Sequence, residues 1–304
     1  MSQLRDQLQI SHDTRQGMLA MVLATLLFPM GDAIAKLLTG FAPPFDVTVW
    51  RTVMQALFLL PIALLFRRRL QGAVLSWPAL LSGALVSVAM FCLISAFQRM
   101  PIATAISIFF IEPLLLTLLA GPLLGEVPGR RRLIAVGVGL MGAMVVIRPN
   151  FAIFGAVSLW PLVAALAFAL NMIVLRRATR TRSALSVQIG ASVCAALLLL
   201  GVQVAAAILF GRETASLAAA PGWAMPALVL AGALSAATFV LIALAFSKAE
   251  AGILAPFQYL EIVGATAVGY LVFGDLPDAL TWLGTAIILG SGLYVFHRER
   301  QNGD

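Results

Sequence analysis

The sequence predicts an all-α integral membrane protein, in which ten transmembrane helices form two inverted repeats of five helices each. The first observation behind this prediction is composition, since 61% of the 304 residues are hydrophobic and only 11% are charged. Soluble domains carry about 25% charged residues. A water-soluble fold of this composition would lack the polar side chains that cover a surface, and the mean hydropathy of +1.00 also indicates a chain that lies mostly in lipid.

The second observation is the length of the apolar runs, which recur along the whole chain. A helix needs about 20 apolar residues to cross roughly 30 Å of hydrocarbon, at about 1.5 Å per residue. Most loops between the runs are too short for a soluble domain, so neighbouring helices are expected to be antiparallel. The ten predicted spans are residues 17–39, 46–66, 77–98, 101–124, 131–148, 154–175, 185–209, 223–247, 251–273 and 279–296.

The third observation is an internal repeat, which emerges when the chain is compared with itself at a shift of 149 residues. Glu112 then coincides with Glu261, and a weaker match at a shift of 140 aligns Lys36 with Arg176. An odd number of spans in each copy makes the second copy enter the membrane from the opposite side. The predicted division is an N-terminal tail (1–16), a first repeat (17–148), a second repeat (149–297) and a C-terminal tail (298–304).

The distribution of Lys and Arg predicts the orientation, because cytoplasmic loops carry an excess of these residues. With the N-terminus in the cytoplasm, fifteen of them fall in inner segments, whereas the outer loops hold only Arg99, Arg148 and Arg212. We therefore expect a multi-pass protein of the inner (plasma) membrane with both termini cytoplasmic. The basic clusters flank helices and face anionic lipid, so the net charge of +7 does not indicate nucleic-acid binding.

Two acidic residues interrupt long apolar runs, Glu112 in the fourth span and Glu261 in the ninth. Each lies roughly 15–17 Å deep at about 1.5 Å per residue, near the bilayer centre. An intramembrane acid is costly and by default marks a functional site, and equivalent places in an inverted repeat predict a substrate site at the repeat interface. The alternative is a structural role, in which each acid is hydrogen-bonded to a neighbouring helix; an unpaired acid would bind a proton instead.

Three further charges lie in the first two spans and are candidate substrate ligands. Asp32 and Lys36 are one helical turn apart, which makes an internal ion pair easy to form. Lys36 lies close to the outer end, where its side chain could instead reach the interface. The guanidinium of Arg51 offers a fork for a substrate carboxylate or phosphate, with helix capping or contact with the interface as the alternative.

Aromatic and amide side chains precede the two glutamates at equivalent places. Phe109 and Gln258 each lie three residues before a glutamate and share its helix face, and Tyr259 follows Gln258. This combination suits a flat substrate that carries heteroatoms, although ordinary core packing explains it equally well. Pro113 and Pro256 lie near the glutamates and are expected to kink the fourth and ninth spans.

Two segments carry a family resemblance that covers nearly the whole chain. The first, at 96–149, reads AFQRMPIATAISIFFIEPLLLTLLAGPLLGEVPGRRRLIAVGVGLMGAMVVIRP, and the second, at 245–296, reads AFSKAEAGILAPFQYLEIVGATAVGYLVFGDLPDALTWLGTAIILGSGLYVF. Each has a small-residue turn, a long span with a central Glu, an acidic end and a Gly-spaced span. This pattern resembles the drug/metabolite transporter superfamily, specifically its EamA-type ten-helix carriers, and the run Asp32 to Lys36 resembles members linked to riboflavin or S-adenosylmethionine uptake.

The resemblance and the repeat together imply a secondary active transporter that moves a small polar or aromatic metabolite by alternating access, with proton coupling left open. The alternatives are an intramembrane enzyme that acts on a lipid or isoprenoid substrate, and a channel. We expect no catalytic residues, metal or cofactor, since no ATP-binding motif occurs and both histidines lie in the polar tails. The expected partners are a small-molecule substrate and the lipid bilayer, with a homodimer as a further option and no nucleic acid.

Overall fold

The computed structural model describes residues 2–67, 70–124, 130–215, 220–249, 254 and 257–302, which contain helices but no β-strand. This confirms the all-α prediction. A 3₁₀ helix, Gly155–Leu159, connects α6 to α7. The α-helices are α1 (Ser2–Leu38), α2 (Pro44–Leu65), α3 (Trp77–Phe97), α4 (Ile102–Phe109), α5 (Glu112–Leu124), α6 (Arg130–Phe154), α7 (Trp160–Ala178), α8 (Ala184–Phe210), α9 (Ala224–Lys248), α10 (Leu260–Phe273) and α11 (Ala279–Asn302).

Several of these helices are long and apolar enough to cross a membrane. Within the described ranges there are seven such segments: Thr14–Leu38, Pro44–Leu65, Trp77–Phe97, Ile102–Leu124, Asn150–Ala178, Leu185–Phe210 and Ala224–Lys248. Three shorter apolar helices are Leu133–Arg148, Leu260–Phe273 and Ala279–Tyr294. Large apolar side chains cover the outer faces, as at Phe210, which is 83% exposed. The chain is therefore an integral membrane protein that crosses the bilayer several times.

The helix boundaries depart from the predicted spans in several places. Helix α7 begins at Trp160, six residues after the predicted start of the sixth span, and α11 continues to Asn302, into the predicted C-terminal tail. Helix α1 begins at Ser2 and so includes most of the predicted N-terminal tail, and α6 continues past residue 148 to Phe154. The fourth span, which the sequence presents as one run, is broken between Phe109 and Glu112. Pro113 explains the break because it has no N–H to donate to the carbonyl of Phe109. Pro256, the second predicted kink, lies outside the described residues.

Helices from the two halves of the sequence pack against each other throughout the bundle. Helix α1 packs against α9 and α10, while α7 packs against α3 and α5. Helix α2 contacts α9, and α8 contacts α3. Further pairs that join the halves include α2 with α8, α4 with α10, and α6 with α11. The buried core follows these contacts, with Phe97, Ile102 and Leu228 among its largest enclosed side chains.

Small and polar residues hold these helix pairs together, as expected in a membrane. A Cβ added at Gly284 in α11 would lie 2.6 Å from the carbonyl oxygen of Gly142 in α6, so only glycine permits this approach. Ser82 in α3 donates a 2.5 Å hydrogen bond to the Asn171 side chain in α7. Cys92 and Cys194 are buried and free, consistent with small core residues.

The bundle has two ends, the Lys36 end and the Ser183 end. The Lys36 end contains the end of α1, the start of α2 and the segment after α8. There the fully buried Asp46 accepts hydrogen bonds from Arg212 Nη2 (3.1 Å), Gln203 Nε2 (3.3 Å) and the Ala215 N–H (3.0 Å). The Ser183 end contains the α2–α3 and α7–α8 connections, where Ser183 Oγ accepts a hydrogen bond from the Gln71 N–H at 3.2 Å.

Candidate functional site

A buried ion pair joins α1 and α2 within the bundle. Arg51 Nη1 donates to Asp32 Oδ1 over 2.9 Å, and the exposed fractions of the two side chains are only 7% and 8%. Arg51 Nε also donates to the hydroxyl of Ser235 in α9 at 3.1 Å. Gly31 makes room for the guanidinium, since a Cβ there would lie 3.2 Å from Arg51 Nη2. One side chain from α2 thus links α1 and α9.

Asp32 does not pair with Lys36, although their spacing along α1 would permit it. Lys36 Nζ instead contacts Asp275 Oδ2, just beyond α10, at 2.8 Å. The same ammonium lies 4.5 Å from the ring centre of Phe273. The expected internal pair is therefore wrong: the long lysine side chain points towards the end of the bundle, while the guanidinium of Arg51 takes its place beside Asp32.

Glu112 and Glu261 both stand at the start of a helix that follows a break. Glu112 is the first residue of α5, and Glu261 is the second residue of α10. A carboxylate is favoured at this place because helix N-termini carry partial positive charge. Across the described part of the chain neither glutamate forms an ion pair, and Glu112 Oε1 is buried without a hydrogen-bond partner.

The two glutamates have different neighbours. Glu261 lies on α10, which packs against α1, and a Cβ at Gly264, one turn further along, would lie 3.0 Å from Pro29 Cγ, one turn before Asp32. Glu112 instead lies two residues after Phe110, whose ring packs against that of Tyr259. Because Arg51 already pairs with Asp32, an ionised Glu261 would have no ion-pair partner among the described residues. A proton or a cationic group of a ligand would supply the missing charge.

A row of contacting aromatic rings runs from Phe168 through Phe109 and Phe110 to Tyr259 and joins the two halves of the sequence. The ring centres of Phe109 and Phe168 are 5.7 Å apart, those of Phe109 and Phe110 6.3 Å, and those of Phe110 and Tyr259 5.4 Å. The Tyr259 hydroxyl lies against Gly292, where an added Cβ would overlap it. Ring edges and faces arranged in this way can hold a flat ligand by stacking.

The structure thus separates the predicted site residues into groups. Asp32 and Arg51 form the buried ion pair, Glu261 lies on α10, which packs against α1, and Glu112 lies two residues after Phe110 of the aromatic cluster. Lys36 lies apart from both groups, at the Lys36 end. Gln258 is half-buried, and no described polar side chain bonds to it.

Three residues that contact the site were not singled out from the sequence. Ser235 gave no signal, being one of many small residues in α9. Phe168 coincides with Phe28 at the shift of 140, and Asp275 coincides with Glu126 at the shift of 149. The internal repeat therefore marks Phe168 and Asp275 as candidate residues, but not Ser235.

Comparison with known proteins gives relatives of matching length. A riboflavin transporter of Rhizobium johnstonii is 28% identical over 296 residues, which cover 93% of this chain and 91% of that protein. An S-adenosylmethionine uptake transporter of Rickettsia prowazekii is 25% identical, with 92% of each chain covered. A protein of solved crystal structure, 20% identical, matches with a TM-score of 0.60 over 97% of this chain and 99% of its own, and so has the same fold.

The family comparison places both halves of the chain in one family. A family model described as the EamA-like transporter family matches residues 15–148 and again residues 155–296. These two matches include the buried ion pair, both glutamates and the aromatic cluster. The predicted resemblance is confirmed, and this chain belongs to the EamA-like transporter family.

Proposed function

We propose that this protein is a secondary active transporter that carries a small polar or aromatic metabolite across the inner membrane by alternating access. The observation that carries this proposal is the family match over both halves of the chain. Relatives of nearly equal length are named as transporters of small metabolites. These comparisons do not favour the two alternatives, an intramembrane enzyme that acts on a lipid or isoprenoid and a channel.

The chain is further proposed to consist of ten spans in two inverted repeats, 17–148 and 149–297. In this scheme α1 corresponds to α7, α2 to α8, α3 to α9, and the α4–α5 pair to α10. The packing supports it, because exchanging equivalent helices turns the α1–α9 contact into α7–α3 and the α2–α9 contact into α8–α3, and both contacts occur. Halves that can exchange conformations provide the two states that alternating access requires.

The Lys36 end is proposed to face the outside, with both termini in the cytoplasm. Support comes from the excess of Lys and Arg at the opposite end, where Arg176, Arg177, Arg180 and Arg182 lie around the α7–α8 connection. Such an excess marks the cytoplasmic side of a membrane protein. The two ends would then open alternately towards the two compartments.

The substrate site is proposed to comprise Glu112, Glu261, Asp32, Arg51, Phe109, Gln258 and Tyr259, with Lys36 at its outer entrance. The aromatic cluster can stack against a planar ring, and the uncompensated carboxylate of Glu261 can attract a cationic group. Riboflavin and S-adenosylmethionine, named for two relatives, both contain a planar heteroaromatic ring attached to a polar chain. We therefore propose a heteroaromatic metabolite with a polar chain as the substrate class.

Counterflow in proteoliposomes tests this proposal. Vesicles that contain the purified protein are loaded with unlabelled riboflavin or S-adenosylmethionine and diluted into a trace of the labelled compound. A carrier accumulates label transiently because the internal substrate drives exchange, whereas a channel equilibrates label without this stimulation. Protein-free liposomes are the control. Absence of exchange with both compounds and with a wider panel of heteroaromatic metabolites would reject the proposed substrate class.

A further inference from the structure

The Lys36 ammonium joins three segments at the Lys36 end. It forms the 2.8 Å ion pair with Asp275, which is 239 residues away in sequence and belongs to the other half. It also donates to the carbonyl oxygen of Met100, between α3 and α4, at 3.3 Å. An ammonium has three N–H donors, and here they connect the end of α1 to segments that follow α3 and α10.

This ion pair lies between an open cavity and the buried site. A cavity of about 500 Å³ at the Lys36 end is lined by Lys36, Leu37, Thr39, Gly40, Gln98, Arg99 and Phe273. Asp32 is one helical turn deeper on the same face of α1, about 6 Å along the axis. The side chains of Lys36 and Phe273 therefore stand between the cavity and the Asp32–Arg51 pair.

The two ion pairs on α1 differ in exposure. The side chains of Lys36 and Asp275 are 16% and 32% exposed, against 7% and 8% for Arg51 and Asp32. Charges that are partly exposed can separate at small cost because water hydrates each of them. Buried charges cannot, because each would remain unpaired in the interior. The outer pair is thus suited to opening and closing, and the inner pair to staying intact.

We propose that the Lys36–Asp275 ion pair, together with the Phe273 ring, is the outer gate of the substrate pathway and is closed in this structure. This inference rests on the proposed transport function and orientation. Opening requires the Lys36–Asp275 pair to part, so that α10 and its following segment move away from α1. The cavity would then become continuous with the space around Arg51.

Thiol accessibility tests the gate without requiring a substrate. Ser235 contacts Arg51, so Ser235→Cys, in a Cys92→Ala/Cys194→Ala background, places one thiol beside the inner pair. Right-side-out vesicles are exposed to a membrane-impermeant maleimide, and the labelling rate is measured. We expect Asp275→Asn and Lys36→Gln to raise the rate roughly two- to fivefold, the range set by the strength of a partly exposed ion pair. The charge-swapped variant Lys36→Asp/Asp275→Lys should label slowly again.

Arg99→Gln provides the matched control, because it removes a cation from the same cavity without altering the ion pair. Its labelling rate should equal that of the parent. Equal rates in the parent, Asp275→Asn and Lys36→Gln would overturn the gate. An increase confined to inside-out vesicles would overturn its assignment to the outside. Because labelling needs no transport, a protein that fails in counterflow can still confirm or refute the gate.

Discussion

The rings of Phe110 and Tyr259 pack with their centres 5.4 Å apart and their planes inclined at 49°. These residues coincide at the shift of 149, so the two halves of the chain meet through equivalent side chains. Each ring lies two residues before a glutamate. The contact therefore brings the starts of α5 and α10 near each other.

The contact between Tyr259 and Gly292 predicts a specific rescue. In Gly292→Ala the new Cβ would overlap the Tyr259 hydroxyl, so the variant should lose about 1–3 kcal/mol of stability, as overpacking usually costs. Tyr259→Phe removes the hydroxyl oxygen and should restore most of this loss in the double variant. Thermal unfolding in detergent measures the effect. Gly290→Ala is the control, because open space surrounds Gly290. A double variant no more stable than Gly292→Ala alone would contradict the prediction.

The buried Asp32–Arg51 pair predicts strong non-additivity. Asp32→Asn leaves the Arg51 guanidinium without its partner, and Arg51→Gln leaves the Asp32 carboxylate without its partner. Each single change should cost about 3–5 kcal/mol, the usual penalty for an uncompensated buried charge. The double variant should unfold at a higher temperature than either single variant, because neither charge remains. Additive losses would show that the two residues do not act as a pair.

Because no described cation pairs with Glu261, we expect this residue to couple transport to a proton gradient. Glutamine resembles a protonated glutamate, so Glu261→Gln should retain exchange in the counterflow assay but lose accumulation driven by a proton gradient, and its exchange rate should no longer vary with pH. Glu213→Gln, the same change at an exposed residue, should behave like the parent. Full gradient-driven accumulation by Glu261→Gln would exclude this residue from coupling.

Glu112 should affect ligand binding, because it lies two residues after Phe110 of the aromatic cluster and has a buried carboxylate oxygen without a hydrogen-bond partner. The thermal shift produced by a bound heteroaromatic metabolite should therefore shrink in Glu112→Gln, whereas Glu213→Gln should keep it. If Glu112→Gln and Glu261→Gln both retained full ligand response and full transport across pH, the proposed site would be wrong.

The hydrogen bonds to Asp46 are expected to protect the Lys36 end from proteolysis. Three hydrogen bonds, including one from Arg212, converge on its buried carboxylate. Bonds to a charged group contribute about 1.5–3 kcal/mol each, so Asp46→Ala should speed tryptic cleavage after Arg212 by about tenfold or more. Mass spectrometry of the fragments measures this rate in intact vesicles. Unchanged cleavage would mean that these bonds do not hold the segment after α8.

Sequence periodicity and composition predicted the helices well because hydrocarbon thickness imposes the length of each apolar run. The predicted second, third, seventh and eighth spans end within two residues of α2, α3, α8 and α9. The break before Glu112 was predicted only as a kink at Pro113. The exact end of α4 depends on hydrogen bonds around that proline, including one from the Ile111 N–H to the Ile108 carbonyl.

The choice of charge partners could not be predicted from spacing along one helix. Asp32 and Lys36 satisfy the geometry of an i, i+4 pair, yet each found a partner on another element. Which side chain reaches Asp32 depends on how α2 is rotated against α1, and no local pattern contains that rotation. Asp275 could be identified from the sequence as a candidate partner, since it follows a helix end and coincides with Glu126 in the repeat.

The contacts that hold helices together at the Lys36 end are stronger than those at the Ser183 end. Asp46 lies in the first turn of α2 and Ser186 in the first turn of α8, at equivalent places 140 residues apart. The first binds Arg212 through its charge, whereas the second lies in a neutral hydroxyl network with Ser183. A carrier with stronger contacts at one end is expected to spend more time in the conformation in which that end is closed, which here is the Lys36 end. Its reorientation rates, and hence its apparent affinities measured from the two faces, would then be unequal, and salt at the Lys36 end would change them more than salt at the Ser183 end.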